Sequence, residues 1–123
     1  MSEDIVSENF FLQIKSIRTS SNAFLMNLKE GDIIISLDGE FVNVTYDHFS
    51  KELQNLQHNK ILTLYRDGVF FNTFVRGSLG VICEEIISEN ITDLKDFNPK
   101  KNIDLNIISL MQIMQLLKTI MIG

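Results

Sequence analysis

Few side chains in this sequence have the types and spacings that catalysis requires. The two histidines, His48 and His58, each lack the second histidine four residues away that a helical zinc site needs. Cys83 lies in an apolar stretch without a basic neighbour, so we expect a small buried side chain rather than a nucleophile. Glu84 and Glu85 are adjacent, which in a strand would turn them to opposite faces and disfavours a paired-carboxylate site. Since the sequence also contains neither a Gly-x-Ser-x-Gly elbow nor a phosphate-binding glycine loop, it predicts a protein that is not an enzyme and holds neither metal nor cofactor.

Composition and charge exclude further classes of protein. The chain has 123 residues with 16 acidic and 11 basic side chains, and its net charge of −5 argues against binding to nucleic-acid phosphates. A single cysteine excludes an intramolecular disulfide framework. Residues 1–4 lack the basic and apolar character of a signal peptide, so we expect a cytoplasmic location. The length fits one domain of ordinary size.

Hydrophobic periodicity predicts a strand-rich α+β fold to position any site. A short helix is predicted over 23–27, and a second helix opens at Thr45, a residue that can cap it. Asp38-Gly39 and Asp67-Gly68 are typical of tight hairpin turns. The predicted strands cover residues 10–17, 33–37, 40–42, 61–65, 69–75 and 77–86.

Two further segments follow the predicted strands. Residues 88–102 are polar, contain the only proline, and are predicted to form a connector. Residues 103–123 have strongly apolar helical periodicity, and Lys118 is the only charge over 105–122. This segment is long enough to reach a membrane, but its interspersed Asn, Gln and Ser make insertion costly. We therefore favour packing on the domain or on a partner helix, including another copy of the chain, over membrane contact.

A spaced set of motifs over about residues 10–86 resembles the bacterial PDZ domain. Asn27 stands where that family commonly has glycine, and Glu30 replaces a frequent proline. The resemblance implies a partly open β-barrel or sandwich of five to six strands with two helices, covering residues 10–87 after an N-terminal extension at 1–9. The motifs that carry it are Ser21-Asn22-Ala23, the run from Leu28 to Ile34, Leu37-Asp38-Gly39, the helix after Thr45, and the run from Leu64 to Gly68.

One motif lies in an unusual place for this family. PDZ domains bind peptides beside a loop of the form X-Φ-Gly-Φ, where Φ is apolar, and in most members that loop precedes all the other motifs. Here Ser78-Leu79-Gly80-Val81 matches the loop after the last hairpin. We interpret this order as a circular permutation in which residues 81–86 form the groove strand. The alternative is a simple turn that leads into an edge strand.

The resemblance also implies which residues bind a peptide. Backbone N–H groups at 79–81 would bind a terminal carboxylate, and the peptide would add as a strand along 81–85. The residue in the place of Tyr46 would contact the peptide side chain two before the terminus, although Tyr46 and Leu53 could simply pack the helix. Arg76 could screen the carboxylate or remain solvated. The expected site residues are Tyr46, Ser50, Leu53, Arg76, Ser78, Leu79, Gly80, Val81, Ile82 and Cys83.

These expectations favour a non-catalytic module that recognises short peptides or free protein C-termini by β-strand addition. The resemblance allows a second hypothesis, because bacterial PDZ-like domains often accompany proteases and this chain would then be a regulatory module. A third hypothesis is a structural or oligomerising protein that acts through residues 103–122.

Overall fold

A computed structural model of the chain describes residues 10–103, which form a strand-rich α+β fold. Its six strands make one open antiparallel sheet in the order β5-β4-β2-β1-β6, with the short β3 beside β2. The strands are β1 (Phe10–Ile17), β2 (Ile33–Leu37), β3 (Glu40–Phe41), β4 (Lys60–Arg66), β5 (Val69–Val75) and β6 (Val81–Ile87), and the helices are α1 (Asn22–Leu25) and α2 (Tyr46–Gln54).

Local sequence signals set most of these boundaries. Asp38 and Gly39 have φ of 50° and 83°, and Asp67 and Gly68 repeat these values, so both dipeptides form the hairpin turns that were predicted. The Thr45 side chain accepts a hydrogen bond from the His48 N–H, which confirms the predicted start of α2. The sequence thus encodes its turns and helix starts locally.

The helix α1 is shorter than predicted and begins one residue earlier. Ser21 caps it by accepting a hydrogen bond from the Phe24 N–H. Asn27 has a φ of 63°, the left-handed conformation that the family resemblance assigns to a glycine. The chain therefore turns sharply after α1 and returns to β2.

Apolar side chains cover both faces of the sheet. On one face, Phe49 and Leu53 of α2 are fully buried against the central strands. On the other face, the segment 88–102 contacts the sheet: Ile91 is buried, and the Phe97 ring stacks on Phe70 with centroids 4.0 Å apart. The segment includes the 3₁₀ turns Ser88–Asn90 and Thr92–Leu94, and residues 99–103 are helical. The stretch that composition assigned to a connector thus contributes to the core of this face.

An ion pair with a buried carboxylate joins the start of β2 to the end of β4. The Asp32 side chain is only 1% exposed, and its two carboxylate oxygens accept hydrogen bonds from Arg66 Nε and Nη2, each at 2.7 Å. This carboxylate raises the pKa of Arg66. The paired geometry satisfies a charge that would be costly to bury alone.

Two sequence expectations lie outside the described residues. These are the N-terminal extension at 1–9 and, from residue 104 onward, the predicted apolar helix. No helix within residues 10–103 has the length and apolarity needed to cross a membrane.

Candidate peptide-binding groove

Strand β6 forms one outer edge of the sheet. It pairs with β1 from Ile17 opposite Val81 to Phe10 opposite Ile87, with an irregularity in β1 between Ile14 and Ser16. On its other side, no strand of the described chain pairs with β6. Its outward N–H and C=O groups can therefore pair with an added strand.

The loop before β6 is held through three consecutive carbonyls. Because C=O and N–H point in opposite directions across a trans peptide unit, fixing these carbonyls toward residues 18–23 turns the next three N–H groups away from that segment. Those N–H groups belong to Leu79, Gly80 and Val81. The three hydrogen bonds run from Asn22 Nδ2 to Ser78 O (2.8 Å), from Ala23 N to Leu79 O (2.9 Å) and from Arg18 N to Gly80 O (2.9 Å).

Two of these N–H groups have no acceptor in the described part of the chain. Within residues 10–103, the N–H groups of Leu79 and Gly80 make no hydrogen bond. The Val81 N–H contacts the phenol oxygen of Tyr46. Successive N–H groups that face one side make a concave anion site.

Glycine at position 80 is required by both conformation and packing. Its φ is 78°, and a Cβ there would lie 2.5 Å from the Cβ of Ser21. At the other end of the loop, the Gly77 N–H donates to the carbonyl of Leu53, which ties the loop to the end of α2. The loop is thus fixed against both helices.

A cavity of about 370 Å³ lies between this loop, β6 and α2. It brings together six of the ten residues predicted for the site: Tyr46, Ser50, Ser78, Gly80, Val81 and Ile82. Three residues that sequence reasoning missed complete its lining: Ser16, Ile17 and Arg18. These three residues lie at the end of β1. The register in which β1 pairs with β6 places them beside Val81 and Ile82. No local sequence motif indicates that register.

Tyr46 spans the groove from α2 to β6. Burial, as the largest cause, and the nearby Cys83 raise the pKa of the phenol, whereas hydrogen bonds with the Val81 backbone and Ser50 oppose that rise. The phenol is therefore protonated at neutral pH and can donate a hydrogen bond to a ligand.

The other four predicted residues do not line the cavity. Leu53 and Leu79 are fully buried in the core, so each supports the groove from beneath. Cys83 packs against the same core, where burial raises the pKa of its thiol to about 12. Arg76 is exposed at the end of β5, and the cation that lines the cavity is Arg18.

Sequence comparison does not place the chain in a family. It matches no protein-family model, and no curated protein shows significant sequence similarity to it. The function is therefore argued from the groove itself.

Proposed function

We propose that this chain is a PDZ-like peptide-binding module, circularly permuted, that takes a free C-terminus and adds it as a strand to β6. One observation carries the proposal: three consecutive carbonyls, at residues 78–80, are bonded on one side, beside an edge of β6 with which no strand within residues 10–103 pairs. The N–H groups of Leu79, Gly80 and Val81 therefore turn toward the other side. A terminal carboxylate supplies the acceptors that the first two lack.

The geometry of an added strand assigns roles to the lining residues. A peptide antiparallel to β6, with its carboxylate at the loop, would have every second side chain facing α2. The side chain two before the terminus would then meet the Tyr46 phenol, which favours Asp, Glu, Ser or Thr there. Arg18, at the same cavity, adds a positive charge near the carboxylate.

The architecture supports the same proposal. The edge strand follows the glycine loop and lies beside α2, as the resemblance requires if the groove strand is permuted to the end of the domain. The two hairpin turns and the left-handed Asn27 also fall where the PDZ resemblance needs positive φ angles. These features together favour a partly open PDZ-like barrel.

The experiment compares peptides that differ only at the terminus. Fluorescence anisotropy would screen a library of labelled octapeptides with free carboxylates, and the best binders would be remade as C-terminal amides. We expect amidation to weaken binding at least tenfold, because the amide removes the charge that the N–H groups and Arg18 bind.

A matched pair of variants locates the site. Arg18→Gln should weaken the acid peptides several-fold, whereas Arg76→Gln, which removes an equal charge outside the cavity, should leave them unchanged. Acid and amide peptides of equal affinity would contradict carboxylate recognition. The absence of any binder in the library would contradict the peptide-binding proposal as a whole.

A further inference from the structure

The opposite edge of the sheet has a different chemical character from β6. Within residues 10–103, strand β5 pairs only with β4, and its seven residues, Val-Phe-Phe-Asn-Thr-Phe-Val, include no charge and no proline. Val69 and Phe74 are 60% and 51% exposed. Its pairing with β4 runs without irregularity from Val69 to Val75, so no bulge turns this edge away from an incoming strand.

The two edges of the sheet also differ in charge. Strand β6 carries two exposed acids, Glu85 and Glu84, of which Glu84 pairs with Lys15 of β1 at 2.9 Å. Two copies of β6 placed side by side would bring these acids near one another. Proteins commonly protect sheet edges from self-pairing with such charges. Since β5 has none, it is the edge that the described part of the chain leaves open to a second copy.

The sequence of β5 is complementary to itself. In an antiparallel pair with a two-fold axis at Asn72, Phe70 lies opposite Phe74 of the second copy, and Phe71 lies opposite its Thr73. Aromatic residues directly opposite one another stabilise antiparallel strands. Because the pair is two-fold symmetric, each of these contacts occurs twice in the dimer.

The residues that flank β5 also fit this register. Asp67 precedes the strand and Arg76 follows it, and both are exposed. Antiparallel pairing brings Asp67 of one copy to within one residue of Arg76 of the other, at both ends of the pair. Opposite charges therefore lie near each other at both ends of the strand pair, where like charges would have destabilised the dimer.

We propose that two copies of this chain pair through antiparallel β5 edges and form one continuous sheet. The two β6 edges then lie at the far ends of that sheet, where neither is covered by the contact. The dimer does not depend on the proposed peptide binding, so each proposal can fail without the other.

Analytical ultracentrifugation of the full chain over a range of concentrations tests the dimer. Thr73 lies next to the two-fold axis, so Thr73→Lys brings two lysines together and should raise the dimer Kd at least tenfold. Thr73→Glu should do the same. An equimolar mixture of the two variants should restore the dimer, because lysine then lies diagonally across the two-fold axis from glutamate. This recovery also shows that both variants are folded.

Two control variants separate this interface from others. Ile82→Lys makes a similar change on the β6 edge and should leave the dimer intact. Leu110→Asp tests the apolar segment 103–122 and should also leave it intact. A parent chain that is monomeric at every concentration would overturn the proposal, as would a dimer that survives both Thr73 variants or a mixture that stays monomeric. Dissociation by Ile82→Lys or Leu110→Asp alone would assign the contact to that surface instead.

Discussion

Tyr46 carries the selectivity of the proposed groove at the scale of single residues. Its phenol lies between α2 and the backbone of Val81, beside Ser50, and is protonated at neutral pH. A ligand side chain that reaches the phenol can exchange a hydrogen bond with it, whereas an apolar side chain can only pack against the ring. The hydroxyl, rather than the ring, should therefore discriminate between ligands.

Tyr46→Phe tests this role. Two peptides that differ only in Thr or Val at the second position before the terminus have nearly the same shape. The variant should weaken the Thr peptide by about 0.5–1.5 kcal/mol, the usual worth of one hydrogen bond, and leave the Val peptide unchanged in calorimetric titration. Tyr65→Phe is the control, because that phenol donates to Asp93 and packs with the cluster on the other face. Equal losses for both peptides would show that Tyr46 acts only by packing.

Cys83 gives a pH-dependent prediction. Because burial raises its pKa to about 12, the folded state holds the thiol proton more tightly than the unfolded chain, whose cysteine titrates near about 8.5. Its contribution to stability is thus complete below about pH 8.5 and is lost as the pH rises toward 12.

Alkylation by iodoacetamide reports the thiolate fraction directly. In the native protein the rate should be low at pH 7 and rise about tenfold per pH unit through pH 10 without a plateau. In urea the rate should level off above about pH 9. A plateau near pH 9 in the native protein would show that the thiol is not shielded by burial.

At the scale of elements, the start of α1 holds the carboxylate loop. Asn22 and Ala23 bind the carbonyls of Ser78 and Leu79, and these bonds orient the N–H groups that follow. The Ser21-Asn22-Ala23 motif therefore has a role at the groove although it lies outside the cavity lining. Removing the Asn22 amide should disorient the loop without opening the core, since this side chain is exposed.

Asn22→Ala should weaken binding of free C-termini about threefold or more, with a loss of unfolding free energy of only about 0.5–1.5 kcal/mol. Anisotropy and urea unfolding measure the two effects. Asn43→Ala is the matched control, because the Asn43 amide also donates to a distant carbonyl, that of Phe10, at 3.0 Å. That variant should lose similar stability and keep its affinity. If both variants lost affinity to a similar extent, Asn22 would affect binding only through the general stability of the fold.

At the scale of the whole molecule, the sequence predicted what local chemistry determines. The Asp38-Gly39 and Asp67-Gly68 turns, the Thr45 cap and the strand order along the chain were all readable, because each depends on a few adjacent residues. The strand-rich α+β class followed from these elements. Six of the expected site residues line one cavity because the loop motif and the α2 face were each recognisable alone.

Features that depend on distant contacts could not be predicted. Arg18 reaches the cavity only through the register of β1 with β6, which no neighbouring residue signals. Composition marked 88–102 as polar, yet Ile91, Leu94 and Phe97 recur every third residue and pack on the sheet. Because the surrounding residues are polar, composition alone did not reveal these three apolar positions. Their burial depends on a sheet face that other segments of the chain form.

The most direct test of the groove follows backbone amides by ¹H–¹⁵N NMR during titration with a library-selected octapeptide. The free acid should shift the Leu79 and Gly80 N–H signals downfield as they bind the carboxylate, together with signals along β6. The amidated peptide should leave the two loop signals in place. The account would be contradicted if both peptides shifted these amides equally, or if the shifts mapped instead to the cavity on the opposite sheet face, lined by Phe11, Phe41 and Ile91 among others.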